Sequence, residues 1–210
     1  MVVTYLKDVS IRSLLIAAAI AWTARTGGAQ TASPATAKPA TAAFAPCGIS
    51  NLHIYSTDRL PSSPAVRTVT TATGEEPITM VDGYRTLYVL PPQEEMLNTK
   101  TEILEASTYA AGKRSLIGNL EFLAKKDPAI RGVGKSKSGS LDIYVASRDA
   151  LDGGVLAIAE LFNDARHTVT TIYFLNSEPA QRQFQTVPAF VSLRDGILRE
   201  FGHCATLQGS

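Results

Sequence analysis

The residues of this chain that could do chemistry fall into two short stretches. The first holds Asp164 and His167, flanked by Asn163 and Arg166. A carboxylate near an imidazole is a minimal set for general acid–base work, because neutral imidazole accepts a proton near physiological pH. The same residues are also what a tight turn uses, since Asn and Asp side chains bond to nearby backbone. Neither Gly-x-Ser-x-Gly nor Ser-x-x-Lys occurs in the chain, so the sequence supplies no nucleophile for them by either hydrolase signature. Asp164 and His167 are candidate catalytic residues only if other groups converge on them in the fold.

The second stretch is basic: Lys125, Lys126, Arg131, Lys135 and Lys137 stand against Asp127 alone. Within it, Ala129 to Ser136 (AIRGVGKS) satisfies a permissive nucleotide-binding loop with Ala in the first Gly position. Such a loop must run from a buried strand into a helix, whose N-terminal amides hold the phosphates. Here a helical pattern and Asp127-Pro128 come before it, and a Gly/Ser turn with the strand-like LDIYV comes after. That order sets nucleotide hydrolysis aside. The five cations remain as a candidate anion-binding surface for an acidic partner, a polyanionic glycan or a lipid head group. His53 and His203 stand alone, and no His-x-x-x-His, Cys-rich or acidic-loop spacing occurs, so neither a metal site nor a cofactor is expected.

Export sets the context for both stretches. Lys7 and Arg12 precede the apolar run Leu14–Trp22, and small and polar residues follow, which is the order of a secretory signal. The run is shorter than the ~20 apolar residues a spanning helix needs, so no permanent membrane span is expected. Gly27 and Ala29 supply the small side chains before a cut that leaves Gln30 first, so residues 1–29 read as a cleavable signal peptide. Those residues hold Lys7, Arg12 and Arg25 against Asp8, and losing them takes the formal charge from +1 to −1. A balance so near neutral argues against nucleic acid as a partner, which requires a concentrated basic surface.

Residues 30–46, nearly all Ala, Thr and Pro, cannot bury enough apolar surface to offset their ordering entropy and read as a disordered tether. Residues 47–210 form the folded domain, and the chain's two cysteines, Cys47 and Cys204, lie near its two ends. In an oxidising periplasmic or extracellular compartment they pair.

The elements follow from apolar period. Leu52–Tyr55, Val66–Thr71 and Arg85–Leu90 read as strands, with turns at Gly74–Pro77 and Asp82-Gly83. Thr99-Lys100-Thr101-Glu102 fits a capping box, predicting a helix from there to Asp127 on a stripe of Ile103, Ala106, Ala110, Ile117, Leu120 and Ala124. Gly112 and Gly118 within it mark a kink or a close approach of another backbone. A Gly/Ser/Lys-rich loop follows, then a three-stranded antiparallel meander of Leu141–Ala146, Val155–Phe162 and Thr168–Leu175. The middle strand is apolar on both faces except at Glu160, which places it centrally. A last helix from Thr186 aligns Phe190, Leu193, Ile197, Phe201 and Cys204 on one face. The fold class is α+β: an antiparallel sheet of about five or six strands with two amphipathic helices packed against it.

Two functional classes fit these observations. One is a non-catalytic binding or envelope-accessory module with an unidentified envelope or extracellular partner, bound through the sheet, a groove beside the helices or the basic stretch, the last of which would take an anionic one. The other is a small exported hydrolase whose residues meet only in three dimensions.

Overall fold

Alternation of β-branched and aromatic residues with polar ones runs through most of this domain, and it builds a single antiparallel sheet. The computed structural model describes residues 47–49, 52–60, 65–71, 74–90 and 94–207. The signal peptide, the cut before Gln30 and the tether expected over 30–46 lie outside them. The described residues hold eight strands: β1 (His53–Arg59), β2 (Ala65–Thr71), β3 (Gly74–Leu90), β4 (Glu94–Leu104), β5 (Ile130–Ser138), β6 (Leu141–Arg148), β7 (Val155–Asn163) and β8 (Thr168–Leu175). Their order is β1-β3-β4-β8-β7-β6-β5, and β2 pairs with the first half of β3, beside the stretch that pairs with β1. Among the described residues three helices complete the domain: α1 (Ala106–Lys126), α2 (Glu178–Gln183) and α3 (Val187–Leu207).

The fold is α+β, as expected, but two strands come from segments read otherwise. The Thr99–Glu102 capping box is not a helix start. Thr99 and Thr101 sit in β4, where the Thr99 hydroxyl donates to the Thr86 carbonyl at 3.2 Å instead of capping an amide. Helix α1 begins only at Ala106, after Glu105, which makes no side-chain cap bond. Its buried stripe is therefore offset from the expected one: Tyr109, Gly112, Ser115, Leu116 and Leu120 face inward, while Ala106 and Ala110 are exposed.

The Gly/Ser/Lys-rich loop is likewise strand β5, paired with β6 from Val133↔Ala146 to Ser138↔Leu141. Its propensity is poor, and register with β6 overrides it. The turns expected at Gly74–Pro77 and Asp82-Gly83 both lie inside the 17-residue β3. Gly83 serves a close approach: a Cβ there would stand 2.7 Å from the Thr101 carbonyl oxygen on β4.

Successive sheet residues point to opposite faces, and each face has its own core. On one face Phe162, Val169, Met80 and Leu104 pack with Tyr109 and Leu116 of α1. On the other, Ile143, Leu161, Ile172, Phe174, Tyr88 and Leu97 pack with Phe184 just after α2 and with Phe190, Ile197, Leu198 and Phe201 of α3. Strand β7 lies between β8 and β6 as its composition requires, and buried Glu160 accepts a hydrogen bond from the Thr171 hydroxyl at 2.8 Å. Thr186 caps α3, its side-chain oxygen accepting from the Ala189 amide at 3.3 Å. The Cys47–Cys204 disulfide closes the domain, joining α3 to the segment ahead of β1. Tyr88 supports that junction by donating from its hydroxyl to the Cys47 carbonyl at 2.9 Å.

Candidate functional site

The β7–β8 hairpin turns as its sequence predicts. The Arg166 amide donates to the Asn163 backbone carbonyl and to the Asn163 side-chain oxygen, each at 3.2 Å. This turn presents Asp164 to α1, where the Tyr109 hydroxyl donates to Oδ1 at 2.8 Å. Lys113, one helical turn on from Tyr109, donates to both Asp164 oxygens at 2.8 and 3.0 Å and to Asp142 Oδ2 at 2.9 Å. Its ammonium also stands 5.3 Å from the centre of the Phe162 ring. Lys137 approaches Asp142 at 3.4 Å from β5. His167 takes φ +52°, its carbonyl accepts from the Leu104 amide at 3.0 Å, and its ring lies 5.2 Å from that of Tyr109. No hydrogen bond joins Asp164 to His167.

The hydrogen bonds of this cluster favour charged carboxylates and a charged lysine. The Lys113 hydrogen bond holds Asp164 below the usual carboxylate range, overcoming partial desolvation, and the Tyr109 hydroxyl acts in the same direction. Asp142 is lowered chiefly by its bond to Lys113. Burial alone would pull the Lys113 ammonium down, but its bonds to Asp164 and Asp142 carry it above the ordinary value. Burial, reinforced by the bond to Asp164, raises the Tyr109 phenol. A general base works best with a pKa near the operating pH, and a nucleophilic lysine must lose its proton. Both carboxylates and the lysine are displaced the other way, and their hydrogen bonds tie the hairpin to α1.

Lys113, Asp142 and Tyr109 were not singled out in the sequence. The available signal was a lysine inside a helical stripe, four residues after Tyr109 and three before Leu116. Its two carboxylate partners come from separate hairpins, so no local spacing reports them.

The basic residues are spread along the sheet margin. Lys125 and Lys126 occupy the last turn of α1, where cations interact favourably with the helix dipole. Asp127 ends the helix, accepting from the Ala129 amide at 2.9 Å and from Arg148 at 2.6 Å. Along β5, Arg131 pairs with Asp149, and Lys135 stands 5.4 Å from the Tyr144 ring centre. At ~3.3 Å per residue, Arg131 and Lys137 lie roughly 20 Å apart, so this is a strip rather than a compact pocket. Lys125, Lys126 and Lys135 are exposed and have no acidic partner among the described residues. The nucleotide-loop resemblance of Ala129–Ser136 fails in three dimensions too, because these residues run extended into and along an edge strand instead of wrapping a helix N-terminus.

Among the described residues no cluster of His, Cys, Asp or Glu could hold a metal ion, and no helix is long and apolar enough to cross a membrane. No protein family, curated protein or solved structure matches this chain.

Proposed function

We propose that this protein is an exported, non-catalytic binding module whose partner is anionic, contacted through the basic strip of α1 and β5. The observation that carries the reading is that Lys125, Lys126 and Lys135 are exposed cations with no carboxylate partner among the described residues, whereas Lys113 is held between two. Unneutralised cations aligned along one margin supply a field that an extended anion can satisfy. The Cys47–Cys204 disulfide fits an oxidising compartment, in keeping with the signal-like N-terminal sequence.

The test is binding to dextran sulfate and to anionic lipid vesicles at low salt, by wild type and by a variant with Lys125, Lys126, Lys135 and Lys137 all replaced by Ala. Wild-type binding should weaken with added salt, because exposed charges are screened beyond ~8–10 Å near physiological ionic strength. The variant should lose binding with its thermal midpoint nearly unchanged. Equal binding by the two proteins rejects the proposal.

A further inference from the structure

Strand β5 ends the sheet, and among the described residues nothing pairs with its outer edge. An edge of this kind presents unpaired N–H and C=O groups that can accept another strand. Three features make this edge selective. After the break in register between Ile130 and Val133, it runs regularly from Val133 to Ser138, a straight template for an extended segment. It carries no acidic residue, and Lys135 and Lys137 project to the face on which α1 lies, opposite Tyr144 and Asp142. Between them Gly134 and Ser136 are exposed, and a Cβ at Gly134 would meet nothing closer than 3.8 Å, which leaves the other face open at these two positions, whereas at Ser138 it is covered by α3, whose Gly202 packs against that side chain.

We infer that the β5 edge takes up an acidic peptide as an additional β-strand, with alternate Glu or Asp side chains beside Lys135 and Lys137. This rests on the anionic-partner reading and narrows it to one class. Lys135 and Lys137 are two residues apart, so their spacing of ~6.7 Å repeats the spacing of same-face side chains in any strand laid alongside. Opposite charges in neighbouring positions across such a pair stabilise it, and like charges destabilise it. A second copy of this chain is thereby disfavoured: antiparallel self-pairing centred on Gly134 sets Arg131 against Lys137, and centred on Ser136 it sets Lys135 against Lys137. Main-chain hydrogen bonds would supply affinity, and the alternating charges specificity.

The experiment uses the full chain and fluorescent peptides of alternating Glu and Val, long enough to lie along Val133–Ser138. A second peptide carries N-methyl groups on the amides of one edge, a third replaces Glu by Lys, and dextran sulfate serves as an anion with no backbone to pair. Wild type should bind the Glu/Val peptide and lose at least about tenfold in affinity for the N-methylated one, since several main-chain bonds go at once. Lys135→Glu should weaken the Glu/Val peptide and strengthen its Lys/Val counterpart, a reversal that a misfolded variant would not show. If N-methylated and unmodified peptides bind alike, the edge acts only as a charged surface: the strand inference falls while the anionic-partner reading stands. If neither peptide nor dextran sulfate binds, both fall.

Discussion

Replacing Lys113 by Met tests whether the α1–hairpin pin is an ion cluster or an incidental surface contact. Methionine retains the aliphatic stem over Phe162 and removes only the charge. The lysine side chain is 19% exposed and Asp142 is 25% exposed, so this bond is partly desolvated and falls in the range of charged hydrogen bonds, ~1.5–3 kcal/mol. Asp164 is 61% exposed, so screening reduces its share to under ~1 kcal/mol. The variant should therefore lose about 2–3 kcal/mol.

The pH dependence has a definite sign. Asp142 and Asp164 have lowered folded-state pKa values, so their stabilisation is present above the ordinary carboxylate range and is lost as pH falls through the lowered values. Lys113 has a raised one, so its contribution holds below the ordinary lysine value and is lost only as pH rises through the folded value. Urea unfolding of wild type and Lys113→Met should show the full gap near about pH 7 and a narrowed gap near about pH 3. A gap below about 0.5 kcal/mol at neutral pH, or one that persists undiminished in acid, would refute the ion-cluster reasoning.

Three further outcomes follow from the same structure. The disulfide spans 157 residues of sequence, for which loop-closure entropy gives about 5 kcal/mol, so a Cys47→Ser, Cys204→Ser variant should lose several kcal/mol in urea unfolding; an unchanged midpoint contradicts the clasp. Gly118→Ala should gain about 0.5–1 kcal/mol, because nothing lies within 4 Å of its added Cβ, whereas Gly202→Ala should lose about 1–3 kcal/mol by driving Cβ to 2.0 Å from Ser138 Oγ; thermal melts that rank the two the other way would overturn the packing argument. Intact-mass measurement of protein recovered from the cell envelope should give a chain beginning at or near Gln30, and retention of Met1 to Ala29 in a membrane pellet contradicts export by a cleavable signal.

The C-terminal half was legible because its patterns are local. Thr168–Leu175 is strand β8 to the residue, Leu141 and Val155 open β6 and β7 as expected, and Phe190, Ile197 and Phe201 are all buried on one face of α3. The pairing of Cys47 with Cys204 was legible from count and context. Thr99–Leu104 was misread because a capping box and a Thr-rich strand share residue types, and pairing of β4 with both β3 and β8 decides between them. Strand β5 was hidden because Gly, Ser and Lys carry no apolar alternation; its partner β6 fixes it. At the candidate site, Asp164 and His167 were found as neighbours in sequence, but the group that determines Asp164's state is Lys113, 51 residues away. Neither Gly position in α1 marks the close backbone approach expected: Gly112 makes room for the Leu104 and Ile78 side chains, while Gly118 lies open.

On the reading proposed above, the basic strip of α1 and β5 is where this protein meets an anion. Titrating the isotope-labelled chain with dextran sulfate at low salt and following its amide resonances tests this most directly. Shifts should concentrate over Phe122–Lys126 and Arg131–Ser138 and vanish when salt is added. Shifts centred instead on Asp164–His167, or no shifts anywhere in the domain, would contradict that reading.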